Sequence, residues 1–121
     1  MARHNEDGQK AENLAVAYLE NKGYDILDQN WVYGKAEVDI IAFHNKQLIF
    51  IEVKARSGNY FGNPEEFVDK KKQRLLTDAA EEYIYLMSHK GEIRFDIIAI
   101  LFQKKFEQYE IKHIEDAFWN Y

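Results

Sequence analysis

No cysteine occurs among the 121 residues. Disulfides, Cys-ligated zinc, iron–sulfur clusters and thiol catalysis are thereby excluded. Pro64 is the only proline, and no repeat, low-complexity tract or linker breaks the chain. Apolar runs reach about five residues, far below the roughly 20 that a membrane-spanning helix needs. The opening residues MARHNEDGQK contain no apolar stretch of the kind a secretory signal requires, so the expected location is cytoplasmic. There is no GxGxxG and no P-loop, since Gly58 and Gly62 lack a following Lys-Ser/Thr. The four histidines (His4, His44, His89 and His113) show no metal-ligand spacing; His44 sits in a turn, and His113 reads as structural.

Hydrophobic residues make up 46% and aromatics 15%, enough to build one core and too much for a disordered chain. The length fits a single domain, residues 1–121. Net charge is −5, which argues against an indiscriminate nucleic-acid coat. The charge is uneven. Residues 54–74 carry Lys54, Arg56, Lys70, Lys71, Lys72 and Arg74 against three acids, whereas both ends of the chain are acidic. A basic stretch inside an acidic protein suits a local phosphate site, and it equally suits a solvated helix face.

Helical periodicity covers residues 7–22 through Ala11, Leu14, Ala15, Tyr18 and Leu19, with Asn5 or Asp7 as cap and Gly23 placed as the C′ residue. Three strand-like runs follow, at 24–32, 36–43 and 47–55. The third is apolar on both faces, the mark of a central strand covered on both sides. Helical spacing returns from Pro64 to about residue 89, with Pro64 in the first turn and an inner stripe from Val68 to Met87. Strands at 92–102 and 106–114 complete the order α-β-β-β-α-β-β. The expected fold is α/β, a mixed central sheet flanked by helices, with a right-handed parallel crossover from 47 to 102.

The chemistry falls in the second hairpin. A turn centred between Asn45 and Lys46 pairs positions that sum to 91, which sets Asp39 opposite Glu52 and Glu37 opposite Lys54. With period-two alternation all four share one face. Two carboxylates on one rung have Cβ atoms roughly 4.5–5.5 Å apart. Partly shielded from water, they repel by about 3–4 kcal/mol. A shared proton or a cation relieves this. A hard divalent ion with oxygen ligands fits, and Mg²⁺ fits best because it keeps waters and accepts phosphate oxygens. The Val53 carbonyl lies beside that position. Lys54 can orient or deprotonate a water, or offset charge on phosphorus. The set suits phosphodiester hydrolysis, although an edge hairpin with a plain Glu37–Lys54 ion pair has the same spacing.

Glu12 lies on a helix face adjoining the apolar stripe, where it can reach the cation or simply face solvent. Lys72, on the line Val68–Lys72–Leu76, can present its ammonium to a phosphate or snorkel along the core. Arg56 can hold a backbone phosphate. Tyr60 or Phe61 can stack on an unpaired base or close the core over the loop.

At these residues the chain resembles a known family. Asp39 followed, after a spacer, by Glu52-Val53-Lys54 looks like the PD-(D/E)XK nuclease signature. The ordered series Gly8, Ala11-Glu12, Gly23-Tyr24, Asn30-Trp31, Glu37-Val38-Asp39, Phe50 to Lys54 with Arg56, Lys72, Arg94-Phe95-Asp96 and His113-Ile114 is similar to the YraN family, which is like archaeal Holliday-junction resolvases in outline. Ala36 stands where the family usually has Gly, and the Gln-x-x-x-Tyr element of exonuclease-type relatives is absent, Gln73 being followed by Thr77. The resemblance implies a restriction-endonuclease-like core. It also implies a catalytic set of Asp39, Glu52 and Lys54 with Glu12 as an accessory acid. The expectation is a Mg²⁺- or Mn²⁺-dependent endonuclease acting on DNA, branched or single-stranded, as a monomer or a homodimer. The alternatives are a non-catalytic nucleic-acid or protein-binding module on the same fold, or a phosphoesterase for a small nucleotide.

Overall fold

The structure is a computed structural model, and it describes residues 6–57, 68–103 and 108–118. Helix α1 (Glu6–Asn21) leads into strands β1 (Asp25–Tyr33), β2 (Ala36–His44) and β3 (Gln47–Ser57). Helix α2 (Lys70–Met87) then crosses to β4 (Glu92–Phe102), and β5 (Tyr109–Ile114) follows. The five strands form one sheet in sequence order. All neighbours are antiparallel except β3 and β4, which are parallel over eleven rungs from Gln47↔Glu92 to Ser57↔Phe102. This is the expected order, and it is a restriction-endonuclease-like mixed sheet.

The two helices cover opposite faces. Leu76, Ala79, Ala80 and Tyr83 of α2 pack on Ile41, Leu48, Phe50, Phe95 and Ile97. Ala11, Ala15 and Leu19 of α1 pack on Ile40, Ala42, Ile49, Ile51, Ile98 and Ile100. The apolar run of β3 thus divides by alternation, even positions under one helix and odd positions under the other. Among the described residues no helix is long and apolar enough to cross a membrane.

Local chemistry sets the element ends. Gly23 takes φ +90, and Tyr24 N–H reaches the Leu19 carbonyl while Gly23 N–H reaches that of Glu20. This is a Schellman stop, with Tyr24 and Leu19 in one apolar cluster as its hydrophobic contact. Asn45 and Lys46 both have positive φ, 49 and 66, the backbone of a two-residue type I′ hairpin.

Three boundaries differ from expectation. Helix α2 opens at Lys70 rather than Pro64, because the Asp69 side chain accepts the Lys72 N–H at 2.8 Å and caps it there. Pro64 itself lies outside the described residues, as do His4, Asn5, Tyr60 and Phe61. Strand β5 starts at Tyr109 rather than 106, and Gln103 N–H closes the connection on the Gln108 carbonyl. Met87 is exposed instead of lying on the inner stripe, since the last turn of α2, with Tyr85 and Leu86, has left the sheet.

Candidate active site

The register that sums to 91 is present, from His44↔Gln47 to Ile40↔Ile51. The ladder stops there. Below Ile40, β2 stays with β1 down to Tyr33↔Ala36, while β3 stays with β4 out to Ser57↔Phe102. The two strands therefore part at the rung that Asp39 and Glu52 would have shared. Simple alternation also fails on β2: Val38 and Ile41, three apart, both pack under α2, while Ile40 and Ala42 pack under α1. The phase slips by one residue at Asp39–Ile40. On β1 the facing residue is Asn30, between the rungs Gln29↔Ile40 and Trp31↔Val38, and its φ is 53. The expected single face for Glu37, Asp39, Glu52 and Lys54 is thus replaced by a split, and the side chains meet across it.

In the split the Asp39 carboxylate accepts the Val53 N–H at 2.8 Å, a bond the ladder would otherwise have made. The opening is a cavity of about 1100 Å³. Glu12, Asp39, Glu52, Val53, Lys54 and Lys72 all line it, with Asn30, Glu37 and the Gly34-Lys35 turn on the β1–β2 side. Arg56 lies outside this wall, and its guanidinium donates to the Ala55 carbonyl at 2.9 Å.

Glu52 is only 4% exposed. Its Oε2 is 3.2 Å from Lys54 Nζ and 3.2 Å from Lys72 Nζ. Its Oε1 is buried without a hydrogen-bond partner among the described residues. Glu12 is 2% exposed and therefore not a surface glutamate. Burial pushes the Asp39 carboxyl up to about 8; Glu52 and Glu12 add to the rise, and the Val53 N–H and Lys72 oppose it. Lys72 does not merely snorkel, since it reaches an acid across the cavity. Lys70, Lys71 and Lys72 occupy the first turn of α2, where the helix dipole disfavours cations. Acids at Asp69 and Glu52 offset that cost.

Among the described residues no three His, Cys, Asp or Glu side chains are gathered into a ready cation cage. Mg²⁺ is commonly held by one or two carboxylates and completes its shell with water and phosphate oxygens. Asp39, the unpartnered Glu52 oxygen and the Val53 carbonyl form such a donor set, all oxygen.

The profile of the Uncharacterised protein family UPF0102 matches residues 11–100. The chain belongs to UPF0102. This is the family, also called YraN, to which the ordered motifs pointed. The UPF0102 protein FP2501 of Flavobacterium psychrophilum is 46% identical over 121 residues, covering 100% of both chains. A UPF0102 protein of Christiangramia forsetii is 50% identical over 119 residues, 98% of each chain. One from Porphyromonas gingivalis is 36% identical over 118 residues, 98% of this chain and 87% of its own.

The UPF0102 fold also holds two features that motif reading did not assign. The first is a buried ionic cluster around Asp96, which is 0% exposed. Arg94 Nε donates to Asp96 Oδ1 and Arg94 Nη2 to Oδ2, each at 2.9 Å. His113 Nε2 lies 2.7 Å from Oδ2, and the Asp116 N–H donates to Oδ1 at 3.0 Å. Tyr18 Oη sits 3.1 Å from His113 Nδ1, and Arg94 also reaches Tyr24 Oη at 2.9 Å. Burial alone would raise Asp96, but the bonds from His113, Arg94 and Asp116 outweigh it and hold the carboxyl below its ordinary range. The signal in the sequence was an Arg and an Asp two apart in an otherwise apolar strand, because a charge there needs a partner. The second feature is Asn30, which the motif series included beside Trp31 but to which it gave no role, and whose left-handed backbone nothing in the sequence announced.

Proposed function

We propose that this UPF0102 protein is a divalent-cation-dependent nuclease that hydrolyses phosphodiester bonds in DNA, in a cytoplasmic setting, with branched or otherwise distorted DNA as the preferred class. The observation that carries the reading is the strand split. It brings the buried Glu52, the half-buried Asp39 and two ammonium groups to one open cavity, beginning at the rung where the hairpin ladder gives way.

Asp39, Glu52 and the Val53 carbonyl would hold Mg²⁺ or Mn²⁺. When bound, the ion supplies a polarised water and offsets phosphate charge. The chain does the rest. Lys54 and Lys72 both rest on one oxygen of Glu52. With that carboxylate holding a cation, the two ammoniums would be free to turn toward phosphate oxygens. Lys54, on the same strand as Glu52, is the group placed to orient the attacking water or to stabilise charge on the phosphorus. Lys72, at the N-terminal turn of α2, holds the phosphate beside the helix N–H groups. Glu12 closes the cavity from the α1 side as an accessory acid. Arg56, outside the cavity wall, is assigned to a neighbouring phosphate on the same strand of DNA.

The test is a cleavage panel of single-stranded, duplex, flap and four-way-junction DNA, with Mg²⁺ or Mn²⁺. Wild-type protein should cut at least one substrate only with the cation, and Asp39→Ala should abolish cutting while its circular dichroism stays native. Cutting by Asp39→Ala at the wild-type rate would remove this site from the reaction. Tight DNA binding with no product at any cation concentration would turn the reading toward a binding module.

A further inference from the structure

Asn30 combines three properties that strand packing does not account for. Its backbone is left-handed at φ 53, in the middle of β1 and away from any turn. Side-chain oxygen Oδ1 is buried and has no hydrogen-bond partner among the described residues. The residue also lines the cavity and faces Asp39 across β1 and β2, on the rung between Gln29↔Ile40 and Trp31↔Val38.

A left-handed residue inside a strand is strained, and such strain collects at functional sites. A buried amide oxygen left unbonded adds a desolvation cost. Glycine would remove both costs, so tolerance of positive φ does not by itself explain an amide here. The other buried unpartnered oxygen described above, Glu52 Oε1, lines the same cavity. Two acceptor oxygens facing one space call for donors, and the waters of a hard cation are donors.

We infer that Asn30 is a positioning residue for the cation: its amide oxygen accepts a hydrogen bond from a water in the shell of the ion held at Asp39 and Glu52. The left-handed backbone is what turns the amide into the cavity, and the slip at Asp39–Ile40 is its counterpart on the facing strand. This inference rests on the cation reading proposed above and adds a further residue to it. Outer-shell partners of this kind change metal affinity by roughly 10–100-fold.

The experiment titrates Mn²⁺ into the full chain by calorimetry for wild type, Asn30→Gly and Asn30→Asp, with melting curves taken in chelator. Glycine keeps the backbone and deletes the amide; aspartate keeps an oxygen acceptor. Expected is an Asn30→Gly protein that melts no lower than wild type without metal and binds Mn²⁺ about 10-fold more weakly. Asn30→Asp should bind at least as tightly as wild type. If Asn30→Gly binds Mn²⁺ with wild-type affinity, the role assigned to Asn30 is wrong while the cation site stands. If both variants weaken binding equally, the oxygen is not what matters and the role again fails. If wild type itself takes up no Mn²⁺, the cation reading falls and this inference with it.

Discussion

Asp96, fully buried on β4, and Asp39, half-buried on β2, belong to one sheet, and their carboxyl groups are treated in opposite ways. Asp96 receives Arg94, His113 and the Asp116 N–H, with every bond at 3.0 Å or less, and its carboxyl is held down. Asp39 is pushed up to about 8 by burial and by Glu52 and Glu12, and the Val53 N–H and Lys72 answer it only in part. The first cluster is closed: each charge is answered inside the protein, so it ties β4, β5 and α1 together. The second is left short of positive charge and opens on a cavity. A buried acid that is fully answered does structural work, and one that is under-answered is poised for something that comes from outside.

Three measurements can break or sharpen this contrast. The largest effect is expected at the closed cluster. Asp96→Ala leaves Arg94 and His113 buried without their counter-charge and should cost about 3–5 kcal/mol in urea unfolding. A loss below 1 kcal/mol would mean the cluster is not the clamp described. At the open cluster the sign reverses. Asp39→Asn keeps an acceptor for the Val53 N–H and cannot ionise, so in chelator at pH 8 it should be more stable than wild type. The sign follows from linkage. A carboxyl raised from 3.8 to about 8 contributes stability that is complete below pH 3.8 and lost as pH rises to 8. The gap between Asp39→Asn and wild type should therefore open between pH 4 and 8 and stay level above that. The smallest effect is a dependence on both variables. A cation held at Asp39, as proposed above, would compete with the proton there, so the rise in wild-type melting temperature at fixed Mn²⁺ should grow by a few degrees from pH 6 to pH 8. Asp39→Asn should show no such growth.

Much of the site was legible because it depended on short-range rules. The two-residue turn at Asn45-Lys46 fixed the hairpin register, and from it the pairing of Ile40 with Ile51 follows. The double-faced apolar run around Phe50 marked β3 as central, and Gly23 marked the end of α1. What stayed hidden depended on long-range packing. The phase slip at Asp39 needs the left-handed Asn30 on another strand, which composition does not reveal. The depth of Glu12 depends on how closely α1 sits on β3, which its small faces at Ala11 and Ala15 permit but do not announce. His113 reaches Asp96 only through the β4–β5 register, with Ile98 opposite His113, and the length of the intervening connection left that register open. Pro64 suggested an early helix start, but Asp69, with an oxygen aimed at an N–H three residues on, caps α2 at Lys70.

The eleven-rung parallel ladder between β3 and β4 has a consequence for how the protein comes into being. Its first rung joins Gln47 to Glu92, 45 positions apart along the chain. During synthesis the strand that carries Glu52 and Lys54 is therefore complete well before its partner emerges. A nascent chain or fragment ending at Gly91 would expose one flank of Gln47–Ser57 as a long apolar edge, prone to pairing with whatever strand it meets. Every residue lining the cavity lies before position 77, yet the central strand beneath it gains its second neighbour only with the closing quarter of the molecule.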